Sequence, residues 1–521
     1  MHNLLDEALF TTSAGRCTLP AVLAMLSTEG PPVHFLALQP HDEVPWYCFL
    51  VQLAAVALGE YGVSALPWAA AGAAWWRIQL LALTGGDPEP WDLVRADLTV
   101  PAFLQSPTDD PLSAFARGSA CPDYLSSLRV AKGHDIKLDT MVAGASEDWV
   151  YALVGAQTIM PRIGSGREGI VRMQHGGATR MFVSLSDSED FGVRFRADIA
   201  RLLSRREAHA SGYELCAQGG VKLLWLVPWS GTLAAANAAK KARAPVPSTA
   251  LDPSTFDPYF IEVASRLRLV PEGGQVVAYT TSSADARVDK VHRGHIGDPW
   301  GPEDDTGTLV TIGQSGWFPR DIGWSYEKVT ELLWAFHGGT AYLPLAGEPG
   351  GPKVLICNAL VHQQQRAYRF FRRVLPIPAD VAEILTTPGH EAERAALALR
   401  ARALVDLVVT VQQEALVPAL HVFVPHGATK AYLIRHDTTV DRVFFADLWA
   451  HRELPDAEAL ELWLSRLLTL AEGRLEGALR NRSMTTSSRL RLTALATARF
   501  VACRSALKAT MASSSATEAA A

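Results

Sequence analysis

The spacing of apolar residues predicts helices along much of the chain. Over residues 41–59 they recur every three or four positions, and Gly59 lies where that spacing ends. The same spacing predicts helices over 75–83, 148–156 and 192–206. The last of these carries five arginines away from its apolar side, Arg194, Arg196, Arg201, Arg205 and Arg206. We expect these arginines to be solvated, and contact with a polyanion is the alternative.

Shorter apolar runs between turn residues predict strands. One begins at Met181 and follows a glycine-rich stretch. A buried, strand-like run covers 221–229, and further short strands are expected at 260–263, 267–270, 275–280, 308–312 and 354–359. Together with the helices, these strands predict a large mixed α/β domain over residues 1–375.

The pattern changes after residues 376–378, which read Pro-Ile-Pro. Long helices rich in alanine, leucine and arginine are predicted at 391–417, 460–479 and 490–511, and 431–446 is either part of a bent helix or a connector. We therefore predict an α+β protein whose mixed N-terminal domain is followed by a C-terminal four-helix bundle over 379–512. Residues 513–521 are small and polar, which predicts a disordered tail.

Composition excludes some classes of protein and leaves others open. The chain has 521 residues, 48% hydrophobic and 20% charged, which is ordinary for a soluble protein of two or three domains. A net charge of −6 argues against a protein that coats nucleic acid with its whole surface, although local basic patches remain possible. Six scattered cysteines indicate neither a zinc site nor a disulfide framework. We expect a cytoplasmic protein without a signal peptide or membrane segment.

Residues 149–185 contain the most distinctive chemistry of the sequence. An apolar helix leads into a stretch with five glycines and four arginines, and a predicted strand follows. Glycine lets a backbone approach a ligand closely, and arginine offers a planar fork of donors to phosphates and base edges. Such a loop suits nucleic-acid contact. From composition alone, however, a solvated surface loop is the favoured interpretation.

Patterns that would indicate an enzyme are weak. Gly164, Gly166 and Gly169 match the spacing of a dinucleotide-binding loop, but no βαβ unit surrounds them. His134 with Asp135, and the acidic residues 303–305, lack the partner ligands of a metal site. We therefore predict no metal and no cofactor. A metal- or nucleotide-dependent enzyme of unknown class stays open as an alternative function.

Several phrases occur together, in order, along nearly the whole chain. They are Asn3-Leu4-Leu5, residues 149–158 ending in Gln-Thr, the glycine-rich residues 164–173, residues 176–180, 257–262 with 266–269, Gly-Asp-Pro-Trp at 297–300, and 374–378. As a set they resemble the CasA large subunits of type I-E CRISPR Cascade surveillance complexes. Two departures are Glu168 in place of a tyrosine and His-Gln-Gln-Gln at 362–365 in place of Gly-Gln-Gly.

The resemblance implies a binding role rather than catalysis. Such a subunit recognises the protospacer-adjacent motif of duplex DNA, promotes unwinding and R-loop formation, and recruits the helicase–nuclease. The implied partners are the other Cascade subunits, the 5′ handle of the crRNA, double-stranded target DNA and its displaced strand. A scaffold subunit without DNA contact is a further alternative.

The resemblance also implies roles for particular residues. Those expected to bind the motif DNA are Gly164, Ser165, Gly166, Lys290, Gln363, Gln364, Gln365 and Arg366, the last four as a hairpin that wedges under a base pair. Phosphate contacts are expected from Arg167, Arg172 and Arg180. Contact with the guide RNA is expected from Lys132, Gly133 and His134. In this scheme the glycines read the minor groove and the arginines position the duplex.

Overall fold

The computed structural model resolves the chain into two compact units. It describes residues 2–60, 62, 72–126, 144–159, 172, 181–242, 250–283, 287–288, 296–302, 323–335, 351–363 and 366–518. The first unit comprises Met1–Phe318, Leu343–Glu348 and Pro352–Ile377, and the second comprises Pro319–Tyr342, Pro349–Gly351 and Pro378–Ala521. The predicted division at 375–379 thus needs one correction, because part of the chain before it belongs to the helical unit.

The first unit is built around a helix that is apolar on nearly all sides. Helix α2 (Glu43–Glu60) buries almost every side chain, as expected of a helix without a polar face. It packs against α4 (Ser146–Thr158), α5 (Phe191–Gly212) and strand β6 (Phe256–Ile261). The other helices of this unit are α1 (Leu19–Ser27), α3 (Ala73–Ala82) and α6 (Leu233–Lys241). The helices predicted from apolar spacing are confirmed.

Small sheets surround these helices. Strands β1 (Phe10–Thr12) and β2 (Gly15–Cys17) form a hairpin, β5 (Val221–Leu223) pairs in parallel with β6, and β3 (Ala116–Arg117), β8 (Gln275–Thr280) and β7 (Leu267–Glu272) form a sheet in that order. The strand-like run at 221–229 is shorter than predicted, because the chain turns at Leu224–Leu226.

A further sheet of three strands has the order β10-β9-β4. Strand β4 (Phe182–Ser186) pairs antiparallel with β9 (Lys353–Gln363), which forms a hairpin with β10 (Arg366–Ile377). The pairing of β9 with β10 shifts by one residue between Ala367 and Arg369, which is a β-bulge at Tyr368. This sheet lies within the first unit.

The arginines of α5 are a second correction. Arg194 and Arg201 are buried, at 2% and 4% exposure, rather than solvated. Arg201 binds Asp198 at 2.9 Å, and Arg206 binds Asp257. Arg196 donates to the carbonyl oxygens of Leu26 and Thr28. Arg201 and Asp198 lie one turn apart on α5, whereas the partners of Arg196 and Arg206 come from other segments.

The described part of the second unit is helical. Its helices are α7 (Tyr326–Thr330), α8 (Ala379–Thr386), α9 (Glu391–Val411), α10 (Val417–Leu420), α11 (Lys430–Asp441), α12 (Phe444–Ala450), α13 (Asp456–Arg480) and α14 (Thr486–Glu518). Helix α13 packs against α9, α11 and α14. The prediction of a helical C-terminal region is confirmed. Residues 513–518 continue α14 instead of forming the expected disordered tail, since extending a formed helix is cheap.

The core of the second unit contains a polar network. His436 is fully buried, and its Nδ1 accepts a hydrogen bond from Nε2 of Gln412 at 3.1 Å. Gln412 begins a π-helical turn and also donates to Asp437 at 2.6 Å, which in turn accepts from the hydroxyl of Tyr326 at 3.2 Å. Burial, together with the charge of Arg474, lowers the pKa of His436 to about 4.

One helical stretch of the described chain, Glu391–Leu420, is long and apolar enough to cross a membrane. Its buried residues include Leu397, Leu404 and Val408, and Nε1 of Trp463 on α13 donates to the Leu404 carbonyl at 3.1 Å. Packing against α13 accounts for its apolar character, because a core helix has the same composition.

Candidate nucleic-acid interface

The glycine-rich stretch starts from a rigid helix end. Gln157 in the last turn of α4 is fully buried, and its side-chain amide donates to the carbonyls of Leu104 and Ser265 at 2.8 and 3.1 Å. Its carbonyl oxygen accepts from the backbone N–H of Ser265 at 2.7 Å. Thr158 donates to the Val154 carbonyl. A buried amide with both ends satisfied fixes the point from which the following residues leave the helix.

Arg172 ties the middle of that stretch to the core. Its side chain is fully buried, and Nε lies 3.2 Å from the carboxylate of Glu262, which is also buried. The guanidinium donates to the backbone carbonyls of Pro258, Phe260, Ile296 and Gly297 and stacks over the Phe260 ring at 4.0 Å. The expectation that Arg172 contacts a DNA phosphate therefore does not fit its position, because its donors are used inside the protein.

The Gly-Asp-Pro-Trp turn is anchored at the same place. Gly297 has a φ of +62°, and a Cβ there would lie 2.5 Å from Nε2 of His209, so glycine is required on both counts. Oδ1 of Asp298 accepts from the backbone N–H groups of Trp300 and Gly301. Trp300 is fully buried, and its indole donates to the carboxylate of Asp198 at 3.1 Å. The tryptophan thus anchors the turn in the core.

Asp198 and His209 on α5 complete the support of this turn. Asp198 also accepts from the hydroxyl of Tyr47 at 2.7 Å and from Arg201, so three donors hold one buried carboxylate. Burial, with the nearby charge of Arg172, lowers the pKa of His209 to about 4. Its imidazole is therefore neutral at pH 7, which is compatible with its position 3.4 Å from the Gly297 carbonyl oxygen.

Strand β4 joins the turn to the hairpin. The backbone N–H of Val183 donates to the Trp300 carbonyl at 3.0 Å, and Phe182 pairs with Asn358 of β9. Beyond Asn358, β9 continues for five residues to Gln363, a rise of about 17 Å at ~3.3 Å per residue. Because the two strands are antiparallel, the hairpin tip extends toward the sheet end at which the glycine-rich stretch enters β4.

Three segments singled out in the sequence are thus anchored to one framework. We use this name for Gln157, Arg172, the turn at 297–300 and strands β4 and β9. Arg172 and β4 hold the glycine-rich stretch, and Val288 and Ile296 flank the segment containing Lys290. Val288 is bridged to Leu251, while Ile296 accepts from Arg172. The hairpin tip lies on β9, which pairs with β4. The framework brings the attachment points of all three segments together.

Most of the predicted contact residues themselves lie outside the described residues. These are Lys132, Gly133, His134, Gly164, Ser165, Gly166, Arg167, Arg180, Lys290, Gln364 and Gln365. Gln363 and Arg366 are described as paired backbone positions on either side of the tip, so the structure contains a β-hairpin at the predicted place. Gln157, Glu262 and Asp198 received no role from the sequence, because a buried polar residue cannot be distinguished there from an exposed one.

Comparison with solved structures gives the fold. The structure of Cse1 from Acidimicrobium ferrooxidans, described as a CRISPR-associated protein, matches with a TM-score of 0.61 at 15% identity, covering 98% of this chain and 99% of that one. Cse1 from Thermobifida fusca gives 0.59 at 12% identity and covers 98% of both chains. This chain has the Cse1/CasA fold.

The Thermus thermophilus CasA (Cse1) structure also matches, with a TM-score of 0.53 at 16% identity over 96% of this chain and all of that one. The Cse1/CasA fold thus accounts for both units from end to end. No protein-family model matches the sequence. No curated protein matches it either.

Proposed function

We propose that this chain is the large subunit of an RNA-guided CRISPR type I-E surveillance complex. The observation that carries the proposal is the match of the whole chain, in both units, to solved Cse1/CasA structures. In this role the protein binds and does not catalyse. It recognises the protospacer-adjacent motif in duplex DNA, promotes unwinding and R-loop formation, and recruits the helicase–nuclease.

The anchoring of three segments to one framework supports the way in which DNA would be read. In the proposal, the backbone of Gly164, Ser165 and Gly166 enters the minor groove, where bulky side chains do not fit. Lys290 adds a charged donor from the neighbouring segment. Recognition of a narrow groove by backbone atoms and one lysine can specify only a short, degenerate motif. Recognition of the long target sequence comes from base pairing with the guide RNA.

The hairpin tip would separate the strands beside the motif. Gln363 and Arg366 pair at the ends of β9 and β10, so two residues, Gln364 and Gln365, connect the strands, and we propose that these four residues insert under a base pair. Arg167 and Arg180 are proposed to contact phosphates. Arg172 is no longer among them, and we assign it the role of holding the loop on Glu262 and the Gly297 turn.

The remaining partners follow from the same proposal. Lys132, Gly133 and His134 would contact the 5′ handle of the crRNA. Other Cascade subunits, the displaced strand and the helicase–nuclease would bind elsewhere on this cytoplasmic protein. Exposed arginines of α14, such as Arg491 and Arg499, provide cationic surface in the second unit.

The test is motif-dependent binding by a reconstituted complex. Complexes containing the wild type, Gly164→Asp or Lys290→Ala are titrated against a duplex with the complementary target, with and without its motif. A carboxylate in the minor groove or loss of the lysine should remove the advantage of the motif. Assembly with guide RNA, measured by size-exclusion chromatography, should be unchanged.

Matched control variants distinguish a specific loss of motif recognition from a general effect of adding a carboxylate or removing a lysine. Gly30→Asp introduces the same carboxylate at an exposed glycine with open space around it, and Lys241→Ala removes an exposed lysine at the end of α6. Both should bind as the wild type does. Equal motif-dependent binding by all four variants and the wild type would contradict the proposed reading. Failure to assemble with guide RNA and other subunits would contradict the proposed complex.

A further inference from the structure

An acidic cleft lies in the first unit, beside the N-terminal half of α4. It encloses about 220 Å³ and is lined by residues before α2, by the turn at Pro122–Leu125 and by the first turns of α4. Three lining residues are aspartates, Asp42, Asp123 and Asp148, and His41, Cys121 and Tyr151 are the other titratable residues that line it. Among the described lining residues there is no lysine or arginine.

Asp42 is the most confined of these carboxylates. The residue is 8% exposed, and its carboxylate lies 3.7 Å from Nε2 of His41. Burial, with the charge of Asp123, raises the pKa of Asp42 to about 7. Burial also raises the pKa of Asp148, although its carboxylate accepts a hydrogen bond from the Ala145 N–H at 2.7 Å. Carboxyl groups are therefore concentrated here, and no lysine or arginine among the described lining residues offsets their negative charge.

Tyr151 provides an independent sign that the cleft is built for a ligand. This lining residue is 2% exposed, and its hydroxyl has no hydrogen-bond partner among the described residues. Burial and the charges of Glu147, Asp148 and Asp42 raise its pKa, so the hydroxyl stays protonated and offers a lone pair. A buried polar group without a partner is costly, and a bound donor would satisfy it.

We propose that this cleft binds an organic cation through a guanidinium or alkylammonium group whose N–H groups donate to Asp42, Asp148 and Tyr151. Several N–H donors on one cation match two carboxylates and a hydroxyl oxygen. A metal ion fits less well, because no three His, Cys, Asp or Glu side chains converge on one point in the described chain. The proposal does not depend on the proposed function, since Asp42, Asp148 and Tyr151 are not among the residues proposed to contact DNA or guide RNA.

The same chemistry could come from an arginine side chain of a protein partner or from a free diamine. The full-length protein is therefore titrated by calorimetry with two probes, N-acetylarginine methylamide and putrescine, at pH 8 and pH 6. We expect saturable binding at pH 8. Whichever probe binds more tightly identifies the source of the cation.

The pH dependence follows from the groups that face the cleft. Of His41, Asp42, Cys121, Asp123, Asp148 and Tyr151, Asp42 is the carboxyl with a pKa near 7. It is mostly ionised at pH 8 and mostly protonated at pH 6, so affinity should fall about tenfold.

Three variants complete the test, and circular dichroism checks that each is folded. Asp42→Asn should weaken binding about tenfold or more, because a charge-assisted hydrogen bond becomes a neutral one. Tyr151→Phe should weaken it to a smaller extent. Glu29→Gln removes one exposed charge elsewhere and should bind as the wild type does. Absence of saturable binding at pH 8, or equal affinity of Asp42→Asn and the wild type, would overturn the proposal.

Discussion

Replacing Arg172 by methionine should destabilise the first unit and disable DNA reading together. Methionine keeps an unbranched apolar stem but removes every donor. Glu262, 1% exposed, would lose its ion pair, and four backbone carbonyls would lose a buried donor. Removing one member of a buried ion pair costs about 3–5 kcal/mol. Neighbouring side chains would fill little of the gap, since the guanidinium lies against the Phe260 ring.

The melting temperature is the first readout. For a unit of this size, each kcal/mol lowers the midpoint by about 2 °C, so the transition should fall by roughly 6–10 °C. Tryptophan fluorescence follows it, because Trp300 is buried beside this turn. The double variant Arg172→Met with Glu262→Gln should lose less than the sum of the single changes, since the uncompensated charge is gone.

DNA binding is the second readout, and it needs a control of equal severity. Arg268→Met removes another buried guanidinium, which donates to the carbonyls of Asp97, Val100, Gln105 and Ser106 far along the chain from the three anchored segments. Both variants should be destabilised, but only Arg172→Met should lose motif-dependent binding. If Arg172→Met lowered the free energy of unfolding by less than about 1 kcal/mol, Arg172 would not be a buried residue that stabilises this part of the fold. Equal loss of DNA binding in both variants would refute the link to function.

Three further predictions address pH, backbone strain and salt. The pKa of His436 in the folded state, about 4, lies below the ordinary value of 6.5, so protons favour the unfolded chain. Its contribution to stability is complete above pH 6.5 and is lost as the pH falls to about 4, roughly 3 kcal/mol in all; urea unfolding at several pH values should show a flatter profile for His436→Gln. Gly297→Ala should cost about 2–4 kcal/mol, because a left-handed φ and contact with His209 act together, whereas Gly30→Ala should unfold within ~0.5 kcal/mol of the wild type. Arg180→Ala should reduce the slope of log affinity for DNA against log salt by about 0.9, and an unchanged slope would remove it from the phosphate contacts.

The sequence predicts the helices and strand β9 well because both depend on local patterns. Apolar spacing locates α2, α9 and α13, and an apolar run at 354–359 locates part of β9, whereas the hairpin with β10 is expected only from the resemblance to CasA subunits. Such signals need only a few neighbouring residues. The match between predicted and observed elements is poorest at residues 221–229, where an apolar run contains a turn.

The wrong assignments share a different cause. Arg172, Arg194 and Arg201 look like surface cations because arginine usually is one. Their burial depends on carboxylates and carbonyls from other parts of the chain, such as Glu262, which lies 90 positions from Arg172. A single sequence contains no signal of that pairing. The glycines at the candidate site could be located by composition, whereas the framework that holds them required the structure.

The bulge at Tyr368 sets how the hairpin can change in length. Side chains alternate between the two faces of a hairpin, so adding one residue pair turns the tip over and adding two restores its orientation about 7 Å farther out. Tyr368 adds a residue on β10 alone, which puts the two strands out of phase near the tip. Deleting Tyr368 would therefore give the hairpin a single register from Lys353 to Ile377, with Gln363 and Arg366 still paired at the tip. The length of the hairpin can change in steps of two residues per strand without turning the tip over, and the bulge marks where the pairing at the tip departs from the pairing beside β4.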